Sequence, residues 1–240
     1  MSNQPITMRG ESRDVGGATD DMKLVSVQVG RPRNVQWRGK PVSTGIYKEP
    51  VAGRIMVCRF NLDGDQQADL TVHGGPDKAV YVYPVEHYAT WGQELERSNF
   101  SFGQFGENFT VQGMLEETVH VGDIFRIGDT QLEVTQPRVP CYKLGIKMGS
   151  MRFLKRFLAS GRTGYYLRVL EEGEVGAGDS IARIKTDPER MTIQQAVRLA
   201  FFEQGDIAML EKALRIRALS QDWHSMFQEQ LTVTTSSQTR

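Results

Sequence analysis

The sequence predicts a mainly β fold, a barrel or a sandwich, with a few inserted helices and a small helical module behind it. Three observations lead to this prediction. Short apolar runs alternate with polar residues between positions 22 and 185. Gly-Asp pairs recur between the runs, at Gly64-Asp65, Gly122-Asp123 and Gly178-Asp179, and such pairs are typical of tight turns. After Pro188 the apolar period changes from that of a strand to that of a helix.

Several segments of the β-rich region are predicted to be strands. Each combines β-branched or aromatic residues with an alternation of apolar and polar positions. The segments are 22–29, 53–60, 117–127, 131–135, 165–170 and 180–184. The stretch 171–179 is rich in glycine and acidic residues, so we expect a connection there.

Two helices are expected to interrupt the strands. The first covers 84–95 and begins at Pro84, because a proline in the first turn costs no hydrogen bond. The second covers 150–159, with Ser150 as its cap and Gly161 just beyond its end. Basic side chains share one face of this second helix, namely Arg152, Lys155, Arg156 and Arg162. This face is interpreted as solvated, with a docking site for an acidic partner or an anionic substrate as the alternative.

The C-terminal region is predicted to form three helices. Thr192 and Gln195 have the spacing of a capping box, a second helix is expected from Asp206 and a third from about Ser220. Acidic residues outnumber basic ones between 187 and 231, which argues against a DNA-binding helix-turn-helix and favours a packing module. The expected organisation is therefore a flexible tail at 1–21, a β-rich domain at 22–185, a helical module at 188–231 and a second flexible tail at 232–240.

The composition excludes several classes of protein. The 240 residues carry 29 basic and 29 acidic side chains, so the net charge gives no reason to expect nucleic acid or a membrane as a partner. Two cysteines cannot build a disulfide framework or a four-thiolate iron–sulfur site, and CxxC pairs for zinc are absent. The sequence contains no signal-peptide pattern and no long apolar run, so we expect a cytoplasmic protein with a small-molecule substrate.

The segment 136–144 around Cys141 is the strongest indication of chemistry. Cys141 follows Pro140, and Arg138 and Lys143 stand on either side of it. Cations favour the thiolate form of a cysteine, and the proline favours a fixed, non-helical backbone. A thiolate on a fixed loop suits a heavy, sulfur-binding metal, although a small buried apolar residue is the structural alternative.

Three further stretches are candidates for ligand binding. Segment 39–48 mixes hydroxyl groups, glycine and lysines, a combination that can hold a phosphate. Segment 73–79 places two glycines after His73, which lets the backbone approach a ligand closely. Segment 105–108 ends in Asn108, whose amide can both donate and accept hydrogen bonds. None of the three matches a P-loop or a dinucleotide-binding motif.

Taken together and in this order, these motifs resemble the MOSC family, named for the C-terminal domain of molybdenum cofactor sulfurase. The motifs that carry the resemblance are Leu62-Asp63-Gly64-Asp65, His73-Gly74-Gly75-Pro76-Asp77-Lys78-Ala79, Gly106-Glu107-Asn108, Val121-Gly122-Asp123, the segment 136–144, Gly164-Tyr165-Tyr166 and Gly176-Ala177-Gly178-Asp179. They span about 22–185, and the three helices that follow resemble the module of YiiM-type members, the hydroxylaminopurine-resistance proteins.

The resemblance implies a MOSC-type β-barrel that binds the molybdenum cofactor, a molybdopterin, with Cys141 as the protein ligand of molybdenum. It also implies reduction of N-hydroxylated compounds to amines as a detoxification reaction. We expect that recombinant protein can lack the cofactor. The cofactor-binding residues that it implies are Ser43, Thr44, Lys48, His73, Gly74, Gly75, Asn108, Arg138, Cys141, Tyr142 and Lys143.

Several questions stay open at the level of the sequence. His73 or His120 is a candidate for protonating the departing oxygen, because histidine titrates near neutrality. The chain has no dinucleotide motif, so we expect a separate flavin or iron–sulfur reductase to supply electrons. A homodimer is one option for the oligomeric state.

Two other functions compete with a reductase. Cys141 could be the nucleophile of a hydrolase or transferase, with His73 or His120 as the base. Alternatively, the protein could carry the cofactor or sulfur without catalysis. Cys58 lies in a strand-like run and is expected in the core.

Overall fold

The computed structural model describes residues 22–68 and 74–238, and within these it contains thirteen strands and six helices. The strands are β1 (Lys23–Val29), β2 (Arg33–Trp37), β3 (Lys40–Thr44), β4 (Glu49–Pro50), β5 (Arg54–Cys58), β6 (Asn61–Leu62), β7 (Val80–Pro84), β8 (Phe109–Gln112), β9 (Ile124–Ile127), β10 (Thr130–Pro137), β11 (Tyr165–Glu171), β12 (Gly173–Gly176) and β13 (Ile181–Lys185). The helices are α1 (Glu86–Glu94), α2 (Tyr142–Met148), α3 (Arg152–Ala159), α4 (Ile193–Phe201), α5 (Ile207–Arg215) and α6 (Gln221–Gln238). The mainly β prediction is confirmed.

One large sheet forms the body of the molecule, in the order β13-β9-β10-β11-β7-β8-β1-β4. Strands β1 and β13, near its two ends, approach each other through an isolated bridge between Lys23 and Ser180. Three backbone hydrogen bonds of 2.7–2.9 Å between 22–24 and 178–181 surround this bridge. The sheet is therefore strongly curved, but a continuous ladder does not close it. The expected barrel is thus an open one, because the strands at the two ends share only this short contact.

All pairs in the large sheet are antiparallel except β7 and β8, which run parallel. Parallel neighbours need a crossover connection, and α1 supplies it. Strand β7 is buried along its whole length, because helices cover one of its faces and the core of the large sheet covers the other. Its carboxyl-terminal half leads into an aromatic cluster in which Trp91 donates a hydrogen bond of 2.7 Å to the hydroxyl group of Tyr83.

Two smaller sheets flank the large one. Strands β12, β5 and β6 form the first, so the expected connection at 171–179 contains a strand. Strands β2 and β3 form a hairpin whose two turn residues, Arg38 and Gly39, both have positive φ angles. This conformation matches the twist of the strands that a two-residue turn joins. The hairpin ends at Thr44, close to the candidate site.

The three C-terminal helices share one apolar core with the large sheet. Backbone hydrogen bonds of 2.9 Å join Val121 to Met191 and Ile193 to Val119, so part of the predicted strand 117–127 holds the module instead of extending β9. The capping box of Thr192 and Gln195 is present.

The chain ends differ from the expected tails. Helix α6 continues to Gln238, which corrects the predicted tail at 232–240. In this last part of the helix the hydroxyl groups of Thr232, Thr235, Ser236 and Ser237 donate hydrogen bonds to carbonyl oxygens of the preceding turn. Residues 1–21, the other expected tail, lie outside the described residues, as do 239–240. Within the ranges described, no helix combines the length and the apolar composition needed to cross a membrane.

Helix α2, which begins directly after Cys141, is not predicted by the sequence. Two other expectations are wrong, because α3 begins after Met151 without a side-chain cap from Ser150, and Cys58 lies outside the core. Cys58 is half-buried at the end of β5, outside the core. Its thiol contacts the carboxylate of Asp63 at 3.7 Å, and burial together with this carboxylate raises its pKa.

Candidate functional site

A cleft of about 590 Å³, open to solvent, brings distant segments of the chain together. We call it the thiol cleft, and its lining residues are Thr44, Gly45, Ile46, Lys48, Gln66, Gln67, Ala68, Lys78, Tyr81, Gly106, Asn108, Arg138, Cys141, Lys143 and Tyr166. A concave lining that combines apolar side chains with a few polar groups is typical of a small-molecule or cofactor site.

Cys141 reaches the thiol cleft from the connection between β10 and α2. It has extended backbone dihedral angles and immediately precedes the first turn of α2. The connection is held by a backbone hydrogen bond of 3.1 Å from Arg138 to the carbonyl group of Gly164, and by one of 3.0 Å from Leu144 to the carbonyl group of Cys141. The sulfur therefore sits on a fixed, non-helical residue, half-buried at the wall of the cleft.

Arg138 is the most buried cation of the cleft. Its guanidinium carbon lies 5.0 Å from the ring centre of Tyr81 and 5.5 Å from that of Phe157, in cation–π geometry. Burial opposes its charge, but the neighbouring groups of Tyr81, Tyr166 and Cys141 favour it, and the net effect raises the pKa of Arg138. Its Nη1 atom has no hydrogen-bond partner among the described residues. A buried charged donor without a partner indicates that an anionic or acceptor group belongs beside it.

A buried carboxylate organises the opposite wall. Asp65 accepts hydrogen bonds from the backbone of Gly30 at 2.8 Å and from the side chain of Asn108 at 2.9 Å, and it forms an ion pair with Lys48. Burial lowers the pKa of Lys48, and Asp65 opposes this shift. The amide oxygen of Asn108 accepts a hydrogen bond of 3.1 Å from the backbone of Tyr81. Asn108 thus ties three segments of the wall together.

Lys147 adds a second buried ammonium group behind this wall. It donates hydrogen bonds to the carbonyl oxygens of Ile46 at 2.9 Å and of Gly103 at 2.6 Å. Its pKa is lowered to about 8, first because burial removes it from water and then because Arg33 and other cations lie near, while Glu107 acts in the opposite direction. The cleft wall is therefore electropositive.

The loop before β8 is held by the buried carboxylate of Glu107. This carboxylate accepts hydrogen bonds from the backbone of Gly103 at 2.8 Å and of Phe105 at 3.0 Å, and from the hydroxyl group of Tyr88. Gly106 has a φ of 87°, and a β-carbon there would lie 2.6 Å from a side-chain carbon of Ile46. Glycine is therefore required for the wall to close at this point.

Lys78 occupies the mouth of the cleft on the side of the helical module. The preceding residue, Asp77, forms an ion pair of 2.6 Å with Arg168, and this contact fixes the short turn that carries Lys78. The ammonium group of Lys78 forms an ion pair of 2.8 Å with Asp222 of α6. The module thus contacts a residue that lines the cleft.

The predicted site residues are only partly brought together. Those that line the thiol cleft are Thr44, Lys48, Asn108, Arg138, Cys141 and Lys143. Ser43 is exposed on the other face of β3, and Tyr142 is half exposed outside the cleft. Gly74 and Gly75 do not line it, although Gly75 borders an adjacent groove at Gln66 and Gln67. His73 lies outside the described residues.

His120 is not part of the cleft. Its ring Nδ1 lies 3.1 Å from a carboxylate oxygen of Asp123, near the attachment of the helical module at Thr192. The expectation that His120 could act as proton donor or base beside Cys141 is therefore wrong. The alternation of apolar and polar residues around His120 cannot predict this position, because the backbone bridge that fixes His120 joins it to Thr192, which is remote in sequence.

Several residues at or behind the cleft are not among the predicted site residues, including Asp65, Lys78, Glu107, Lys147 and Tyr166. The Gly64-Asp65 pair predicts only a turn, and Glu107 and Tyr166 lie within motifs whose neighbouring residues are the predicted ligands. Lys147 carries no local signal, because only the fold buries it. Their partners are remote in sequence, which is why spacing alone could not identify them.

The donor set of the cleft fits a group that brings its own metal ligands. No cluster of three or more His, Cys, Asp or Glu side chains suited to a metal occurs in the parts of the chain that the structure describes. The described side chains therefore form no metal site of their own. One sulfur atom beside buried cations instead suits a soft metal held by an organic chelator that carries an anionic group. The unpartnered Nη1 of Arg138 is the clearest sign of such a fit.

Comparisons with known proteins agree with this arrangement. Residues 69–182 match the MOSC domain family, and residues 191–233 match the YiiM-like, 3-alpha helix domain family. The chain is 35% identical over 193 residues to protein YiiM of Escherichia coli, which covers 80% of this chain and 85% of that protein. It is 33% identical over 179 residues to a protein named "Reductase" of Gibberella moniliformis, covering 73% of this chain but 32% of that longer protein.

A solved structure shows the same architecture. YiiM from Geobacillus stearothermophilus superposes with a TM-score of 0.75 at 31% identity, covering 88% of this chain and 99% of that one. Both parts of the chain, the curved sheet and the three helices behind it, are therefore those of a known family. The chain belongs to the MOSC domain family, as a YiiM-like member with the C-terminal three-helix domain.

Proposed function

We propose that this protein is a molybdenum-cofactor-dependent reductase that converts N-hydroxylated compounds, hydroxylaminopurine-type base analogues among them, to amines. The observation that carries the proposal is the meeting of Cys141 with a buried, unpartnered guanidinium nitrogen of Arg138 in one electropositive cleft. A relative named as a reductase supports the reaction class.

The residues of the cleft divide into two groups for holding the cofactor. Cys141 would supply a thiolate to the metal, and Arg138 would bind along the pterin through its free Nη1 atom. The hydroxyl group of Thr44 and the ammonium groups of Lys48 and Lys143 would bind the phosphate. Ser43, Tyr142 and Gly75 contribute no lining group, so we do not include them in this set.

The reaction needs two electrons and two protons: the N–O bond breaks, the nitrogen becomes an amine and the oxygen leaves as water. When bound, the molybdenum cofactor supplies the two-electron chemistry that side chains lack. The part of the protein is to hold the sulfur on a fixed backbone and to keep the walls rigid through Asp65 and Glu107. We propose that electrons come from a separate flavin or iron–sulfur reductase.

The competing hydrolase requires a base beside Cys141. Among the residues that the structure describes, no histidine lines the thiol cleft, and His120 is held elsewhere by Asp123. A carrier without catalysis would share the same cleft, so only an activity measurement separates it from the reductase.

The two cysteines provide a matched experiment. Protein expressed with molybdate is analysed for molybdenum as wild type, Cys141→Ser and Cys58→Ser. We expect near-stoichiometric molybdenum in wild type and Cys58→Ser, and little in Cys141→Ser. Equal metal content in all three proteins, or none in the wild type, would remove the basis of the proposal.

Activity is measured with the same proteins. Reduced methyl viologen should support conversion of 6-hydroxylaminopurine to adenine by the wild type, whereas NAD(P)H alone should not. Molybdenum-loaded protein that reduces no N-hydroxylated compound would point to the carrier function. Cysteine alkylation that abolishes activity in metal-free protein would point to the hydrolase.

A further inference from the structure

A second groove lies on the outer side of Cys141, between the cysteine segment and the last helix of the module. Its space, including the part open to solvent, is about 760 Å³, and its walls include Val139 and Cys141 on one side and Trp223 and Met226 of α6 on the other. Cys141 also lines the thiol cleft, as do Lys78 and Tyr166, so the two spaces are neighbours that share these three residues. We call this second space the module groove.

Its walls suit a flat apolar face. Val139 is 45% exposed, and Met226 is half-buried. Trp223 is held from behind by Phe227, with ring centres 5.6 Å apart, and by Phe201 at 6.2 Å. Trp223 is therefore the rigid part of the α6 wall, while the flexible thioether of Met226 on the same wall can adjust to a bound ring.

One polar group of the groove is left without a partner. Gln136 is 4% exposed, and its Oε1 atom has no hydrogen-bond partner among the described residues. Its amide nitrogen makes only a 3.5 Å contact with the carbonyl group of Pro137. Buried amide groups are almost always paired, so this oxygen is available to a ligand that carries an N–H or O–H donor.

The rim of the groove adds a charged pair. Asp222 is largely exposed and pairs with Lys78, which borders both spaces. The carboxylate of Asp222 adds acceptor oxygens at the rim, next to the apolar walls. A planar heterocycle with several N–H groups on its edge matches a site with apolar walls and acceptors at its border.

We propose that the module groove binds the heterocyclic part of the substrate, a planar nitrogen-rich base, between Val139 and Met226. Gln136 accepts a hydrogen bond from its edge, and its N-hydroxyl group is directed to the Cys141 end, where the two spaces meet. This inference rests on the proposed function for the reaction, but the groove itself is testable by binding alone. The helical module then forms half of the substrate site.

The test uses full-length protein and isothermal titration with two probes, adenine and 6-hydroxylaminopurine. Met226→Trp fills the groove, and Gln136→Met removes the amide at similar volume. Val233→Trp is the matched control, because Val233 is exposed farther along the same helix and borders no part of the groove. Thermal unfolding identifies variants that do not fold.

We expect Met226→Trp and Gln136→Met each to weaken binding of both probes by about tenfold or more, because the first obstructs the space for the ring and the second removes a hydrogen-bond acceptor. Val233→Trp should bind within about twofold of wild type. Molybdenum content should not differ among the four proteins. In steady-state assays the KM for 6-hydroxylaminopurine should rise in the two groove variants, and the KM for hydroxylamine, which has no ring, should rise less.

The outcomes separate the two proposals. If wild type does not bind the bases, or if Met226→Trp binds them as tightly as wild type, the groove proposal is overturned. An equal loss in Val233→Trp would overturn it as well. If the bases bind in the groove but no N-hydroxylated compound is reduced, the proposed function fails while the groove assignment stands.

Discussion

The buried ammonium group of Lys147 makes the stability of this protein depend on pH in a defined direction. Its pKa is lowered from 10.5 to about 8, mainly because burial removes the charge from water. Between pH 8 and 10.5 the unfolded chain therefore binds a proton at this lysine that the folded chain has released. Stability rises with pH wherever the unfolded state binds more protons, so Lys147 penalises the fold below pH 8 and ceases to do so near pH 10.5.

The size of the effect follows from the shift. One pKa unit corresponds to about 1.4 kcal/mol, so the shift of Lys147 is equivalent to about 3 kcal/mol if the full change is realised. Some solvent contact remains, which reduces the expected value to about 2 kcal/mol. In the variant Lys147→Met the hydrogen bonds to Ile46 and Gly103 are lost at every pH, so this loss adds a constant offset to the comparison.

The quantity to measure is the difference in free energy of unfolding between wild type and Lys147→Met, from urea denaturation at several pH values from 7.5 to 10.5. We expect this difference to move in favour of the wild type by about 2 kcal/mol across the range. Lys155→Met, at an exposed lysine of α3, is the control and should show no such trend. A flat difference for Lys147→Met, or an equal slope for Lys155→Met, would refute the reasoning.

Three further predictions follow from buried contacts. Asp65→Asn leaves the ammonium group of Lys48 buried without a counter-charge and should cost about 3–5 kcal/mol in urea denaturation, most of it recovered in the double variant with Lys48→Met; a loss below about 1 kcal/mol would contradict this. Gly106→Ala should lower stability by about 1–3 kcal/mol more than Gly39→Ala, since both have positive φ but only Gly106 faces a close neighbour; equal losses would mean that the contact does not matter. Thr192→Ala removes the capping box of α4 and should cost about 1 kcal/mol by thermal unfolding, with no change in molybdenum content.

The Gly-Asp turns illustrate what the sequence could and could not predict. All three glycines have positive φ angles of 77°, 89° and 100°, as the turn prediction requires. The aspartates do more than shape turns, because Asp65 organises the cleft wall and Asp123 holds His120 and the backbone of Asp187. Turn chemistry is local and can be predicted from adjacent residues. The long-range partners depend on how the sheet curves, which no local pattern encodes.

Helix α2 shows why one element beside the key cysteine was missed. Its sequence contains Gly145, which disfavours a helix by propensity. The structure places Met151 so close that a β-carbon at Gly145 would lie 2.7 Å from its sulfur. Leu144 and Met148 are buried in the aromatic cluster of the large sheet. Packing against a distant surface thus outweighs the local propensity, and it also fixes the residue that precedes the helix.

The same argument applies to charge. The basic and acidic residues of the whole chain are balanced, so the composition gave no reason to expect an anionic ligand. Folding separates these charges. Lys78, Arg138 and Lys143 line one cleft, and Asp222 of the acidic helical module pairs with Lys78. An ion pair between the module and the cleft couples the position of α6 to that of Lys78. The module, for which the sequence predicts only a packing role, thereby lines the module groove and contacts the thiol cleft through Lys78.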